Sequence, residues 1–205
     1  MTQSQTDIES IYEQARRYLQ GDGVPHSYEK GIPYLKEAAD LGHVKAQYNL
    51  GILLHEGLGI VQSYEEAHHY FALAANQGHP RAYYMLGCYF AFGFWLSPSE
   101  EQACHYFRLA ADAGIADAQY DLGVCLLNGK GTSKSEEEAV RYFTLASDQG
   151  NVDAHYNLGI CYYQGLGALV SHERAIHYLE LAVQGKQTKA AAALETVMMA
   201  SNLSR

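Results

Sequence analysis

An all-α solenoid is the fold class this sequence predicts, and three observations predict it. Ala46, Ala82, Ala118, Ala154 and Ala190 recur every 36 residues, as do Leu50, Leu86, Leu122, Leu158 and Leu194. Glycines hold two further phases at the same interval, Gly51, Gly87, Gly123 and Gly159 in one and Gly57, Gly93, Gly129 and Gly165 in the other. Serines recur likewise at Ser27, Ser63, Ser99, Ser135 and Ser171, each followed two residues later by a glutamate. A period of about 20 to 50 residues marks units that cannot bury their own apolar faces and stack on one another to make one continuous core.

Each unit reads as two helices. The first carries the alanine and the Leu-Gly pair at i, i+4 and i+5, and a glycine-rich turn ends it. The serine then caps the second helix, and Glu29, Glu65, Glu101, Glu137 or Glu173 complements the positive end of its dipole. Such a cap contributes about 1 kcal/mol. Within the second helix, Tyr34, Tyr70, Tyr106, Tyr142 and Tyr178 precede a large apolar residue, and a small pair follows from Ala38, Ala74, Ala110, Ala146 or Ala182. Gly42, Gly78, Gly114 and Gly150 stand where left-handed C-terminal positions end these helices. Gly51 and its equivalents sit mid-helix, where glycine costs about 1 kcal/mol against alanine, so close helix approach is expected there.

The units run over residues 10–45, 46–81, 82–117, 118–153 and 154–189, with a closing helix from about 190 to 203, all in one domain of residues 1–205. Thr6 and Glu9 offer a capping box for the first helix, while Glu195 replaces the glycine of the closing one.

Composition narrows the function classes. The 205 residues carry a formal net charge of -9, which disfavours nucleic acid and anionic membrane surfaces and suits a neutral or basic protein partner. No run of 18 apolar residues occurs, and MTQSQTDIES lacks a basic region followed by an apolar one, so neither a membrane span nor a signal peptide is expected and a cytoplasmic location is. Cys88, Cys104, Cys125 and Cys161 follow no metal-ligand spacing, and free thiols are expected.

The unit Ala-Gln-Tyr-Asn-Leu-Gly (46–51), Gly-Leu-Gly (57–59), Ser-Tyr-Glu-Glu-Ala (63–67) and Tyr-Phe-Ala-Leu-Ala-Ala-Asn-Gln-Gly (70–78) resembles the Sel1-like repeat, a relative of the tetratricopeptide repeat. The resemblance covers nearly the whole chain and implies a right-handed superhelix of helix pairs. Members generally look like adaptors and scaffolds, in bacteria often in signalling, envelope-linked or host-interaction complexes. Some secreted relatives carry a disulfide in each repeat, a pattern missing here.

By analogy with tetratricopeptide arrays, the first helix of each pair faces a concave groove. That places Tyr12, Tyr48, Tyr84, Tyr120 and Tyr156 in one row, flanked by Ile52, Cys88, Val124 and Ile160 and then by His55, Ala91, Leu127 and Tyr163. Rigid aromatics with a polar tip make good contact surfaces. Strict repetition also suits packing between helices, and the sequence leaves both readings of the row open.

Variation gathers in the third unit. Where other units have Gly59, Gly131 and Gly167, this one has Trp95, the only tryptophan, inside Phe90-Ala91-Phe92-Gly93-Phe94-Trp95-Leu96. Phe92, Phe94 and Trp95 are therefore candidate anchors for a partner. The competing reading is a local mini-core in which Trp95 folds back over the neighbouring turn.

No catalytic or metal chemistry emerges. His69, His105 and His177 fall at equivalent positions of successive second helices, roughly 8–10 Å apart, whereas zinc ligands lie about 2 Å from the ion. His172 and His177 are five apart and share no helix face, so the zinc-protease pattern fails, and helix-surface histidines are expected. Gly129-Lys130-Gly131-Thr132 echoes a phosphate loop, but Val124 stands where its first glycine belongs and Gly131 separates Lys130 from the hydroxyl. The expectation is a non-catalytic interaction module without metal or cofactor, binding a protein or peptide through Tyr48, Tyr84, Tyr120, Tyr156, Cys88, Phe92, Phe94, Trp95 and Tyr163. The alternative is an immunity or inhibitor protein that blocks a toxin or enzyme.

Overall fold

The computed structural model describes residues 3–203, with side chains from 6 to 201, and its regular structure is helical throughout those residues. Two compact units divide the chain, Met1–Pro98 and Ser99–Arg205. The first holds α1 (Gln3–Gln20), α2 (Tyr28–Asp40), α3 (Val44–Glu56), α4 (Tyr64–Asn76) and α5 (Pro80–Phe92). The second holds α6 (Glu100–Asp112), α7 (Ala116–Asn128), α8 (Glu136–Asp148), α9 (Val152–Gln164), α10 (His172–Gln184) and α11 (Ala190–Leu203). Within each, every helix packs on the next in sequence, and α11 also touches α9.

The boundaries follow from chemistry local to each turn. Ser27, Ser63, Ser99, Ser135 and Ser171 hold extended backbone and accept from the amide three residues on, at 3.2–3.3 Å. Gly57, Gly93, Gly129 and Gly165 end α3, α5, α7 and α9 in the left-handed region, φ 71 to 74, where a β-carbon is costly. The histidines and asparagine that start the first helices were not legible as caps. His43 and His79 accept through Nδ1 from Ala46 and Ala82, and Asn151 accepts from Ala154, whereas Ile115 makes no such bond. One expectation fails: α1 already runs from Gln3, so Thr6 and Glu9 lie inside the helix and form no capping box at its start. Glu9 instead sits 3.1 Å from Nε2 of His43.

The core alternates small and large residues. Ala46, Leu50, Phe71 and Ala74 are buried in the first unit, and Ala118, Leu122, Phe143 and Ala146 repeat the arrangement in the second. The mid-helix glycines let the partner helix close in. A β-carbon on Gly51 would stand 2.6 Å from Phe71, on Gly123 2.5 Å from Phe143, and on Gly159 2.6 Å from Leu179. The glycine therefore exchanges helix propensity for a ring seated against the backbone.

Candidate partner-binding site

Within each unit, tyrosines of the row pack against neighbouring elements of the array. Tyr12 is buried, stacks on His43 with ring centroids 4.2 Å apart, and accepts a 3.0 Å bond from Asn49 Nδ2. Tyr48 stacks likewise on His79 at 4.5 Å. Tyr120 packs at 6.1 Å on Phe143. Tyr48, Tyr84, Tyr120 and Tyr156 are all half-buried, so each ring both packs and offers an edge to solvent. Burial pushes the Tyr48 and Tyr120 phenols above their ordinary pKa, which keeps them neutral hydrogen-bonding groups. Beside Tyr12, an apolar cleft of about 220 Å³ opens between α1 and α3, lined by Leu19, Leu35, Asn49, Ile52 and Leu53.

The aromatic turn after α5 is built differently. Phe94 turns inward onto His55, Tyr64 and Tyr89, with centroids 5.2, 5.2 and 5.4 Å away. Tyr89 is the keystone, 0% exposed, and its hydroxyl lies 3.0 Å from Nδ1 of His55. Trp95 lies over His68 at 5.4 Å, and His68 in turn packs on Tyr89 at 5.9 Å. Yet Trp95 stays 51% exposed and Phe92 71% exposed. A local mini-core is thus present, but Phe94 occupies it where Trp95 was expected, while Phe92 and Trp95 face outward from it.

The backbone under Trp95 is strained. Its φ is 63, in the region that Gly59, Gly131 and Gly167 occupy at φ 70, 66 and 65. At those glycines a β-carbon would run into Tyr28, Glu100 or Glu136, at the start of the preceding repeat's second helix. A bulky residue held in that conformation is an outlier that costs on the order of 1–3 kcal/mol.

Of the remaining predicted residues, Tyr163 packs on His172 at 5.9 Å and Cys88 is half-buried. Phe92 and Phe94 come together at 5.9 Å, whereas Tyr48 and Tyr163 make ring contacts of their own elsewhere. His55, Tyr64, His68 and Tyr89 were missed as a cluster because they hold four different phases, three in the second repeat and Tyr89 in the third; only the aromatic content of the third repeat hinted at it. Desolvation lowers the pKa of both His55 and His68, so the two rings stay neutral among the aromatics. His68 is thus no surface histidine, unlike the exposed His69, His105 and His177.

Among the described residues no group of three or more histidine, cysteine or acidic side chains could hold a metal ion, and no helix is long and apolar enough to cross a membrane. None of the four cysteines, all among the described residues, is in a disulfide.

The Sel1 repeat family matches this chain five times, over residues 8–43, 44–79, 80–115, 116–151 and 152–185. The chain belongs to the Sel1 repeat family. The last four matches begin at the first residue of α3, α5, α7 and α9, and the first begins within α1, so the family register and the helix pairs coincide. No curated protein matches this chain by sequence. A Sel1 repeat protein from Oxalobacter formigenes shares the fold with TM-score 0.82 and 27% identity, over 95% of this chain and 78% of its own. A protective antigen of uropathogenic Escherichia coli with an SLR fold reaches TM-score 0.85 and 26% identity over 91% of this chain, which spans 40% of that protein's length. An immunity protein from Pseudomonas aeruginosa has the fold at TM-score 0.52 and 21% identity, over 90% of this chain and 67% of its own. Sel1 repeat proteins generally mediate protein–protein interaction and are generally non-catalytic.

Proposed function

We propose that this Sel1 repeat protein is a non-catalytic, cytoplasmic adaptor that holds a protein or peptide partner. Phe92 and Trp95 are its principal anchors, Phe94 supports them from beneath, and Tyr48, Tyr84, Tyr120, Tyr156, Cys88 and Tyr163 supply the flatter contact along the first helices. The observation that carries this reading is Trp95 itself, a large ring 51% exposed on backbone of φ 63 where the other repeats have glycine. Strain retained at one repeat out of several points to a use other than folding. Exposed aromatics packed on a rigid base make effective anchors, since little side-chain freedom is lost on binding. The net charge of -9 favours a partner with a neutral or basic face.

The test is affinity capture from the native lysate with wild type, Trp95→Gly and Phe92→Ser, read by mass spectrometry, with folding followed by circular dichroism. A partner held by wild type and lost by both folded variants supports the assignment. A partner retained by both places binding elsewhere.

A second reading, an inhibitor or immunity protein acting on a basic toxin or enzyme, draws on the same acidic charge. At 21% identity the Pseudomonas immunity protein bears on the fold alone. The captured partner decides between the readings: an enzyme or toxin whose activity falls on binding favours inhibition.

A further inference from the structure

Two thiols meet where α6 packs on α7. Cys104, 3% exposed, receives a hydrogen bond from the half-buried Cys125. Their meeting is a property of the repeat. The residues one period earlier, His68 and Tyr89, are in ring contact at 5.9 Å across the equivalent helix pair of the first unit. One period later the two phases hold Val140 and Cys161, so the thiol on α9 has a valine where Cys125 has a cysteine.

The surroundings make the pair unequal. The bond to Cys104 holds the Cys125 proton in place, burial acts in the same direction, and the carboxylates of Asp121 and Glu100 add to it. Cys104 has the Cys125 donor, the Arg108 guanidinium and the Thr132 hydroxyl, and its thiol is drawn down to about 7. Cys161, buried and near Glu136, is pushed up to about 11. A cysteine with thiolate character beside a second thiol is the arrangement in which oxidation closes a bond instead of stopping at an acid.

We infer that Cys104 and Cys125 form a reversible disulfide site that closes on exposure to hydrogen peroxide and ties the third repeat to the fourth. The Cys104 thiolate attacks one peroxide oxygen, forming an S–O bond as the O–O bond breaks, and the departing hydroxide takes the Cys125 proton to become water. The Cys125 thiolate then attacks the sulfenic sulfur. The S–S bond forms, the S–O bond breaks, and the leaving hydroxide takes up the proton that Cys104 had released. Two thiols have then lost two electrons and two protons, and the peroxide has become two waters. Peroxide is little larger than water, which suits a nucleophile as enclosed as Cys104.

The experiment treats the whole wild-type chain with increasing hydrogen peroxide, quenches with iodoacetamide, digests without reductant and reads peptides by mass spectrometry. The expected product is a linked peptide pair containing Cys104 and Cys125, lighter than the sum of the two by two hydrogens. It should appear at doses that leave Cys161 alkylatable and be reversed by dithiothreitol. Oxidised wild type should also melt at higher temperature than reduced, and Cys125→Ser should remove that difference. The inference is overturned if Cys104 and Cys125 stay alkylatable at doses that oxidise Cys161. It is equally overturned if Cys104 proceeds to sulfinic acid with no linked peptide. The mass readout uses unmutated protein, so misfolding of a variant cannot produce either result.

Discussion

The hydroxyl of Tyr89 lies 3.0 Å from Nδ1 of His55, joining α5 to α3 inside the first unit. Tyr89 is wholly buried and His55 half-buried, so the bond satisfies a phenol that water cannot reach. Tyr89→Phe keeps the ring and removes the donor, and we expect a loss of about 1 kcal/mol in urea unfolding. Tyr89→Ala removes the keystone on which Phe94, His68 and Phe71 rest, and should cost about 3–5 kcal/mol. Equal costs for the two variants would show that the ring contributes nothing beyond its hydroxyl.

Acid should loosen the same cluster. His55 and His68 have folded pKa values below the ordinary 6.5, chiefly through desolvation. The folded state therefore binds fewer protons than the unfolded one near that pH, and stability rises with pH there. The contribution is whole above the unfolded value and declines as pH falls through about 6.5 toward the lowered folded values. Melting temperature should drop between about pH 7.5 and 5.5, above the range in which carboxylates titrate. His55→Gln combined with His68→Gln should flatten the drop. An unchanged slope in the double variant would remove these two rings from the account.

Gly123→Ala tests the close approach of α7 and α8. The added methyl would stand 2.5 Å from Cε1 of Phe143, itself fully buried, and the ring has nowhere to retreat. Destabilisation of about 1–3 kcal/mol is expected despite alanine's better helix propensity. A stabilised variant would mean that the helices separate freely at this point.

Trp95 inverts the usual order of small substitutions. Alanine keeps the left-handed backbone penalty and loses the contact with His68, whereas glycine loses the contact and relieves the penalty. Trp95→Gly should therefore be more stable than Trp95→Ala by about 1 kcal/mol and close to wild type. Thermal and urea unfolding of the two variants measure the difference. If glycine proves several kcal/mol worse than wild type, the indole is a core residue and its exposure is incidental.

Much of this was legible in the sequence, because the repeat states its own rules. Ser63 and Ser135 cap helices, Gly78 and Gly150 leave them with φ 81 and 85, and Ala46 and Leu50 are buried, all as their phases require. What escaped depends on roles that no spacing announces. His43 and His79 act as caps through a ring nitrogen, a role the sequence rules reserve for short side chains. Cys104 and Cys125 lie in different phases, so no spacing reveals that α6 brings one to the other. The Trp95 turn announced itself by composition, but its division into an inward Phe94 and an outward Phe92 needed coordinates.

The chain's single tryptophan sits in that turn, 5.4 Å from an imidazole and half open to water. Its fluorescence, excited at the red edge where tyrosine does not absorb, therefore comes from one side chain of the third repeat. A ligand that dries the indole would shift the emission to the blue, and a charge gained by His68 would dim it. The protein carries a label-free reporter at the place where its partner is proposed to dock.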